Sequence, residues 1–487
     1  MNEVRLLAVE NTLKRRKNSR VQTLVALIEV ANLGHHKDVE VFWTGENSEW
    51  HTLHAHFQGR CGDGHEYWQA RVSVSERSGR ELPGDIRFAI RLRCNGNEYW
   101  DNNQGYDHLS RADSGWSLQP GVDVLVLNHA DALRTRHQSV EIKTATAAEL
   151  AANKVIVHWT QDNWRHQHVS SCRRQKARKG APTWTARLPV DDAFALDYYI
   201  ECKTADGLRR DNNRGRNFRL SRPPLRIMIL NLHCYQESHQ DRKFWQIAKA
   251  INEQAVDIVC FQEVAEHWNQ GHGDWPSNSA NIINQRLKHP MHLYFDWSHL
   301  GFDRYREGVA ILSRYPLEHT ESRYVSDSHD MYSIHSRKVV MSRIRVPHIG
   351  AIHVFSAHLS WWEDGFEAQF RRLCDWAAHC SDGDIQATLL CGDFNIAAGS
   401  VGYRMVVEHS AYQDQYLAAN HQGLFEQIFR VNDAHWGHLL ADDYRIDYIF
   451  MNHDARLTVT SARVMFTHDD YGPVSDHCGY LMSFEPN

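Results

Sequence analysis

What most restricts the fold of this chain is a repetition: residues 22–110 and 138–221 read as two copies of one unit. Val39-Glu40-Val41-Phe42-Trp43-Thr44 aligns with Val155-Ile156-Val157-His158-Trp159-Thr160. Tyr67-Trp68-Gln69-Ala70-Arg71 aligns with Thr183-Trp184-Thr185-Ala186-Arg187, and both tryptophan pairs lie 116 residues apart. Asp101-Asn102-Asn103-Gln104-Gly105 then aligns with Asp211-Asn212-Asn213-Arg214-Gly215 at an offset of 110. The six-residue change falls at 75–84 of the first copy, a turn-rich segment.

Within the first copy, runs at 27–30, 39–44, 67–74 and 86–93 are β-branched or alternating, with Gly, Asn and Asp turns between them. This spacing predicts an all-β sandwich of about 90 residues in each copy. The link 109–130 carries an apolar strand at 122–127 that suits either copy. Core positions on strands are the simplest places for Trp43 and Trp159.

Ser221-Arg222-Pro223-Pro224 reads as a linker, since consecutive prolines continue neither sheet nor helix. Beyond it the rhythm changes. Strands are predicted at 225–232, 256–264, 307–314, 336–346, 352–359, 388–391, 446–451, 458–466 and 478–484. Helices are predicted at 241–254, with Phe244, Ile247 and Ile251 on one face, and at 366–379. Helices between strands argue for stacked sheets with outer helices. The domains expected are 22–110, 138–221 and 225–487.

Charge is uneven. Residues 1–223 hold 33 Lys and Arg against 27 Asp and Glu, a net of +6. Residues 224–487 hold 21 against 33, a net of −12, which works against binding a polyanion. A span needs a run of about 18 apolar residues, and the sequence has none, so no membrane association is expected. The short apolar run 24–28, after the basic cluster Lys14-Arg15-Arg16-Lys17, is broken by Glu29 and is too short for a signal core. The ten cysteines form no CxxC pair and are expected to be reduced thiols. A cytoplasmic protein is the expectation.

Polar residues recur at the ends of the later strands. Asn231 ends the first and Gln262-Glu263 the second; Ser356-Ala357-His358-Leu359 ends another. Gly392-Asp393-Phe394-Asn395 follows 388–391, Asp447 sits in Arg445-Ile446-Asp447-Tyr448-Ile449, and Ser475-Asp476-His477 precedes the last strand. Charges at the ends of buried strands are costly unless a site uses them. A hard divalent cation takes oxygen ligands of the kind Glu263, Asp476 and Asn231 offer. Phosphoryl transfer needs charge neutralisation, an oriented water and a proton donor, and two histidines among carboxylates fit that need.

These six motifs, in this order, resemble the endonuclease/exonuclease/phosphatase superfamily over residues 225–485. The resemblance implies a four-layer α/β sandwich and a metal-dependent phosphoric ester hydrolase. It makes Glu263 the principal Mg2+ ligand, with Mn2+ as the alternative ion, Asn231 near metal and phosphate, and Asp476 assisting the metal. It gives Asp393 the attacking water, Asn395 the phosphate, His477 the developing charge, and Asp447 the tautomer of His477. His358 stands near the phosphate as acid or charge stabiliser. The loop at 297–306 and Trp361-Trp362 lie beside the predicted catalytic strand ends. Arg304 and Arg306 are candidates for phosphate binding and Trp361 and Trp362 for stacking on a sugar face, against packing and solvation. Asn231-Leu232-His233-Cys234-Tyr235-Gln236 and Trp361-Trp362 are closer to the maltose 6-phosphate phosphatase branch than to the nuclease branch.

Phe88-Ala89-Ile90 followed by Glu98-Tyr99-Trp100-Asp101-Asn102-Asn103 resembles starch- and glycogen-binding modules over residues 22–110. The resemblance makes Tyr99, Trp100, Asp101, Asn102 and Asn103 a glucan site, an indole stacking on the sugar and amides pairing with hydroxyls. The second copy departs from it, with Arg209-Arg210 where the first has Tyr99-Trp100. The basic run at 173–179 reads as a solvated loop, or as a holder of phosphate-bearing glucan or nucleic acid.

Together these resemblances imply a Mg2+-dependent phosphatase for a phosphorylated sugar or α-glucan, of maltose 6-phosphate type, with the modules tethering glucan polymer. The alternatives are a nuclease or phosphodiesterase of the same superfamily, and a glycogen-targeting scaffold with an inactive catalytic domain. Nucleic acid is disfavoured as a partner by the charge of the second half.

Overall fold

The computed structural model describes residues 3–487 apart from 17–18, 35, 63, 77–80, 130–131, 134–137, 177–178, 270, 381–382 and 421–444. Lys17 of the basic cluster and Arg178 of the basic run therefore lie outside the described residues. The chain is mostly β with few helices. It divides into two units, Met1–Pro223 and Pro224–Asn487.

The two copies inside the first unit share a pairing scheme. In the first, Lys37–Thr44 pairs with Ile86–Cys94, which also takes Asn97–Asp101 and His108–Ser110. In the second, Lys154–Thr160 pairs with Ala195–Thr204, which takes Gly207–Asp211 and Phe218–Ser221. Trp43 and Trp159 are buried on equivalent strands, as core residues. The apolar segment at 122–127 contributes Val124–Val126, which pairs with Ser139–Thr146 and so joins the second copy.

Two strands of the first copy were not legible in the sequence. Val4–Arg16 pairs along its length with Ser19–Ala31. Leu6 N donates to Asp101 Oδ2 at 2.7 Å, tying this strand to the far end of the copy. Trp50–Cys61, rich in His and bulged between Phe57 and Gly59, pairs with both Lys37–Thr44 and His65–Ser75. It links what would be two sheets into one continuous sheet folded around the core of Ile28, Val41, Phe88 and Ile90.

Among the described residues, the second unit holds a seven-stranded and a six-stranded sheet. At the centre of the first, Leu225–Asn231 and Ile258–Asn269 run parallel. At the centre of the other, Gly350–His358 and Ile385–Asp393 run parallel. Parallel neighbours need a crossover, supplied by helices Gln240–Glu253 and Phe366–Cys380. Alternation along Leu225–Asn231 sends Met228 and Leu230 to a core shared with Phe244, Ile247 and Ile251. It sends Ile227 and Ile229 to a core shared with Val340, Ile352, Val354 and Leu389 of the other sheet. A third core joins Phe355, Leu390 and Phe450 to Phe370, Leu373 and Trp376.

The expected loop at 297–306 is a β-hairpin instead, His292–Gly301 paired with Tyr305–Ser313. Gly308 makes its close crossing possible, since a Cβ there would lie 2.0 Å from Asp296 O. Among the described residues no helix is long and apolar enough to cross a membrane, and the ten cysteines are unpaired.

Arg445 and Asp414 form a buried ion pair, with Nη1–Oδ1 at 3.1 Å and Tyr403 Oη donating to Asp414 Oδ2 at 2.9 Å. Removing one partner leaves a buried charge uncompensated. Arg445→Met should lower the stability of the second unit by about 3–5 kcal/mol, read as a fall in the urea midpoint of its unfolding transition; an unchanged midpoint would refute the role given to this pair.

Candidate functional site

Both parallel pairs deliver their carboxyl ends to one cavity of about 430 Å³, the usual place for a site in such sheets. Asn231 ends one strand, while His358 and Asp393 end the parallel pair of the other sheet. Asp447 opens the strand antiparallel to Ile385–Asp393 and lies directly opposite Asp393. Glu263 sits in a bulge between Phe261 and Val264, with φ 48°, where its strand departs from regular pairing.

The two sheets are pinned together beside the cavity. Gln262 Nε2 donates to Ser356 Oγ at 3.1 Å, and Ser356 Oγ donates to Phe261 O at 3.2 Å. Gly392 has φ +133°, and a Cβ on it would lie 2.1 Å from Ala357 O and 2.8 Å from Gln262 Nε2. Only glycine accepts both the conformation and the approach.

Asp393 is the hub. Its Oδ2 accepts from Asn231 Nδ2 at 3.0 Å and stands 3.6 Å from His358 Nε2 and 3.8 Å from His477 Nε2. Its Oδ1 accepts from the backbone N of Asn395 at 2.9 Å. Asn231 Nδ2 also donates to Glu263 Oε1 at 2.9 Å. His477 Nδ1 lies 2.8 Å from Asp447 Oδ2, a pairing that leaves Nε2 facing Asp393. Asn395 spends its own amide on Leu359 O at 2.8 Å while lining the cavity.

Electrostatics divide these groups. Burial, with the charge of Asp447 beside it, pushes Asp393 up to about 7. Burial, followed by Glu307 and Asp476, pushes Glu263 up to about 8. Burial also works against charge on His477, but Asp447 and Asp476 outweigh it and hold the ring well above the usual histidine range. Burial, reinforced by Arg337 and His477, holds His358 well below that range, so His358 is a neutral hydrogen-bonding group rather than a cation.

The residues fit a hard divalent cation. Glu263, His358 and Asp393 present ligand atoms within 4.8 Å of one another, as do Asp393, Asp447 and His477. Glu263, Glu307 and Asp476 crowd negative charge into an enclosed pocket, and a cation relieves that crowding. Asp476 groups with His233 and Glu237 rather than with the Glu263 cluster, its Oδ1 lying 3.5 Å from His233 Nδ1.

Five residues of this region carried no signal on their own in the sequence. Glu307 lines the cavity and pairs with His299, whose Nε2 lies 3.4 Å from it. Arg337 lines the cavity with its Nε buried and without a hydrogen-bond partner. His233 also lines it and binds Glu237 at 2.8 Å. Glu307, His299 and Arg337 lie on separate elements, and the His233–Glu237 pair sits within one loop, so no strand-end pattern marks any of them.

The substrate-loop candidates separate. Trp361 lines the cavity, with Phe302 71% exposed and Ile334 beside it. Trp362 packs against Phe366 at 6.1 Å between ring centroids and is not part of the lining. Arg306 lies between the rings of Trp268 and Trp297, 4.9 Å from each, and 3.5 Å from Glu266. Arg304 is exposed and also off the lining. The rings and the Glu266 carboxylate hold this guanidinium from three sides, while its Nε is buried without a hydrogen-bond partner.

In the first unit, the loop after Asn97–Asp101 is built by its own polar residues. Asp101 accepts from Leu6 N and His108 Nε2, and Asn102 Oδ1 accepts from Gly105 N at 3.0 Å. Asn103 Nδ2 donates to Asp107 O at 3.1 Å. These side chains shape the loop, while Trp100 is 45% exposed and Tyr106 82% exposed. Tyr99 packs on the module's core. Trp100 is braced by Glu98, which accepts from its Nε1 at 2.6 Å, and by Phe42 at 5.5 Å. The second copy repeats the loop, with Asn212 Oδ1 accepting from Gly215 N at 3.1 Å. There, however, Asn213 is buried against the first copy, taking Gly62 N at 3.1 Å and donating to Arg60 O at 3.3 Å.

Comparison with known proteins assigns both regions. The endonuclease/exonuclease/phosphatase family profile matches residues 228–477. The profile of family 21 carbohydrate/starch-binding modules matches residues 5–109. Uncharacterized protein YbhP of Escherichia coli K12 is 36% identical over 181 residues, 35% of this chain and 66% of that protein. The chain thus spans just under two thirds of the length of the curated relatives it matches. Among solved structures, an endonuclease/exonuclease/phosphatase family protein from Leptotrichia buccalis is 23% identical, covering 54% of this chain and 99% of its own, at a TM-score of 0.46. The human Nocturnin catalytic domain is 19% identical, covering 55% and 96%, at 0.43. A mannosyl-6-phosphatase from Bacteroides thetaiotaomicron is 16% identical, covering 54% and 99%, at 0.38.

A divalent cation should raise the unfolding temperature of the full chain by mass action. Glu263→Gln should abolish that rise, because it removes the charged ligand, while Asn231→Asp should retain it; an equal rise in Glu263→Gln would remove Glu263 from the metal site.

Proposed function

Because this chain belongs to the endonuclease/exonuclease/phosphatase family and carries an N-terminal starch-binding module, we propose that it is a cytoplasmic Mg2+-dependent phosphatase. Its substrate in this reading is a phosphate monoester of a sugar or α-glucan, of maltose 6-phosphate type. One observation carries the reading: an endonuclease/exonuclease/phosphatase family domain and a starch-binding module occur in one polypeptide. The pocket rim adds support, with Trp361 and Phe302 offering apolar faces for a sugar ring. In layering, the reading is two β-sandwich modules followed by a four-layer α/β sandwich, supported by the shared pairing scheme and by the three cores of the second unit.

Each residue then has a task. Glu263 and Asn231 would hold the cation, Mg2+ or in its place Mn2+, which supplies charge neutralisation on the phosphate oxygens. Asp393 accepts a proton from the attacking water, and a carboxyl pushed up to about 7 is a matched base near neutral pH. His477 carries positive charge toward the phosphoryl oxygens, where negative charge gathers in the transition state. Asp447 holds His477 in the tautomer that this requires. His358, neutral, offers a hydrogen bond beside Asp393. The module keeps substrate near the pocket by raising its effective concentration.

Phosphate release from maltose 6-phosphate with Mg2+, alongside cleavage of plasmid DNA by the same preparation, tests the reading. Phosphate release without nicking is expected, and nicking without phosphate release would replace it with a nuclease. Asp393→Ala and His477→Ala should each lower turnover by about 10²–10⁴-fold, the usual share of a general acid or base, while thermal unfolding stays cooperative. Wild-type turnover in both would discard the assignment. Trp100→Ala should weaken retention on amylose while sparing small substrates; unchanged retention would take Trp100 out of the glucan site.

A further inference from the structure

A second cavity, of about 580 Å³, opens in the first unit between the two copies. This lies within the range of about 300–1,000 Å³ usual for ligand pockets. Its floor is the outward face of the second copy's sheet. There Lys143 sits opposite Thr185 and Glu141 opposite Arg187 in the pairing of Ser139–Thr146 with Thr183–Pro189. Its wall comes from the first copy, where Glu10 of strand Val4–Arg16 pairs with Trp116 of Gly115–Leu118. The ring of Trp116 is only partly buried, and Trp184 lies at the base.

The rear of this cleft is locked by backbone. Ala181 N donates to Trp116 O at 2.7 Å, crossing from one copy to the other. Gly180 has φ +83°, and a Cβ there would stand 2.6 Å from Ser114 O and from Trp116 O. A Cβ on Gly115, φ +72°, would stand 2.5 Å from Lys179 O. Leu13 N donates to Asp113 Oδ1 at 3.1 Å, and Lys179 Nζ lies 3.6 Å from Asp113 Oδ2. The cleft is therefore a fixed feature of how the copies meet.

Its chemistry selects a ligand. Glu10, Asp113 and Glu141 oppose an anion, so a phosphate group is a poor occupant despite Lys143 and Lys179. Lys143 and Lys179 oppose a cation. Carboxylates, ammonium groups, the Gln175 amide and threonine hydroxyls together present both acceptors and donors to a ligand whose hydroxyls are both donors and acceptors. The Trp116 indole adds a flat face for the C–H side of such a ring. Burial raises the Glu10 carboxyl above its usual range, against the pull of Lys14 and Arg71, in keeping with an enclosed acceptor.

We propose that the cleft between the copies is a second saccharide site, binding a short neutral α-glucan independently of the Trp100 loop. It rests on the reading of this unit as glucan-binding. It gives the second copy a role that its own loop, buried at Asn213, does not have.

Calorimetric titration of the full chain with maltoheptaose tests it. Two binding events are expected in the wild type, one lost in Trp100→Ala, the other in Trp116→Ala, and both in the double variant. Since Trp116 also packs on the core, Lys143→Ala with Gln175→Ala, both exposed positions, provides a second handle. That pair should weaken the Trp100-independent event at least tenfold with no change in unfolding temperature. A single event that vanishes in Trp100→Ala and is untouched by the cleft variants would overturn the proposal while leaving the module a glucan binder. No event in the wild type would overturn both.

Discussion

The second unit is organised around negative charge that its own fold forces together. Asp393 and Asp447 face each other across a strand pair, and Glu263, Glu307 and Asp476 enter the same pocket from other elements. Burial in a low-dielectric pocket makes each carboxylate costly unless paired or bonded. The fold answers with His477 between Asp447 and Asp393, with the Asn231 amide bridging Asp393 and Glu263, and with Arg337 within the lining. Everything else about the unit serves this meeting. Two parallel pairs bring four strand ends to one edge, and Gly392 lets Gln262 reach across to Ser356 so the edges stay aligned.

The first unit shows one structural device put to two uses. The Asp-Asn-Asn loop has the same internal bonds in both copies, because Asp101 and Asp211 cap backbone amides and Asn102 and Asn212 close the same turn. What differs is what surrounds it. In the first copy the third residue and the aromatics beside it meet solvent. In the second, the third residue is consumed by Gly62, Tyr67 and Arg60. The loop residues are thus primarily architectural, and exposure of Trp100 is what distinguishes the first copy's loop from the packed one of the second.

This explains which parts were legible. The candidate site positions announce themselves in sequence because each puts a polar residue at the end of an apolar strand, as Asn231, His358, Asp393 and Asp447 all do. Glu307 and Arg337 do not, since each lies where a surface charge would be unremarkable and only the tertiary fold turns it inward. Arg306 reads as a phosphate-binding candidate in the sequence because an arginine beside a predicted catalytic strand has that chemistry, and its aromatic slot does not show there. The hairpin pairing that puts it between Trp268 and Trp297 joins residues that sequence spacing does not connect. The early strands Val4–Arg16 and Trp50–Cys61 escaped because charge and histidine interrupt their alternation, and the cleft between copies escaped because it belongs to neither copy alone.

The charge of the second half bears on how an anionic substrate is gathered. A net of −12 over residues 224–487 opposes the approach of any phosphate ester at distances within the Debye length, about 8 Å at physiological ionic strength. Within the pocket, protonated His477 and the Arg337 guanidinium stand as positive groups among the carboxylates. A polyanion meets the repulsion at every residue along its length, whereas a small monoester meets it once and then reaches the local cations. A neutral glucan meets none of it. Recruitment through uncharged sugar, by stacking and hydroxyl bonding, brings the proposed substrate close without drawing on long-range electrostatics, and leaves the attraction of the pocket to act only on the phosphate.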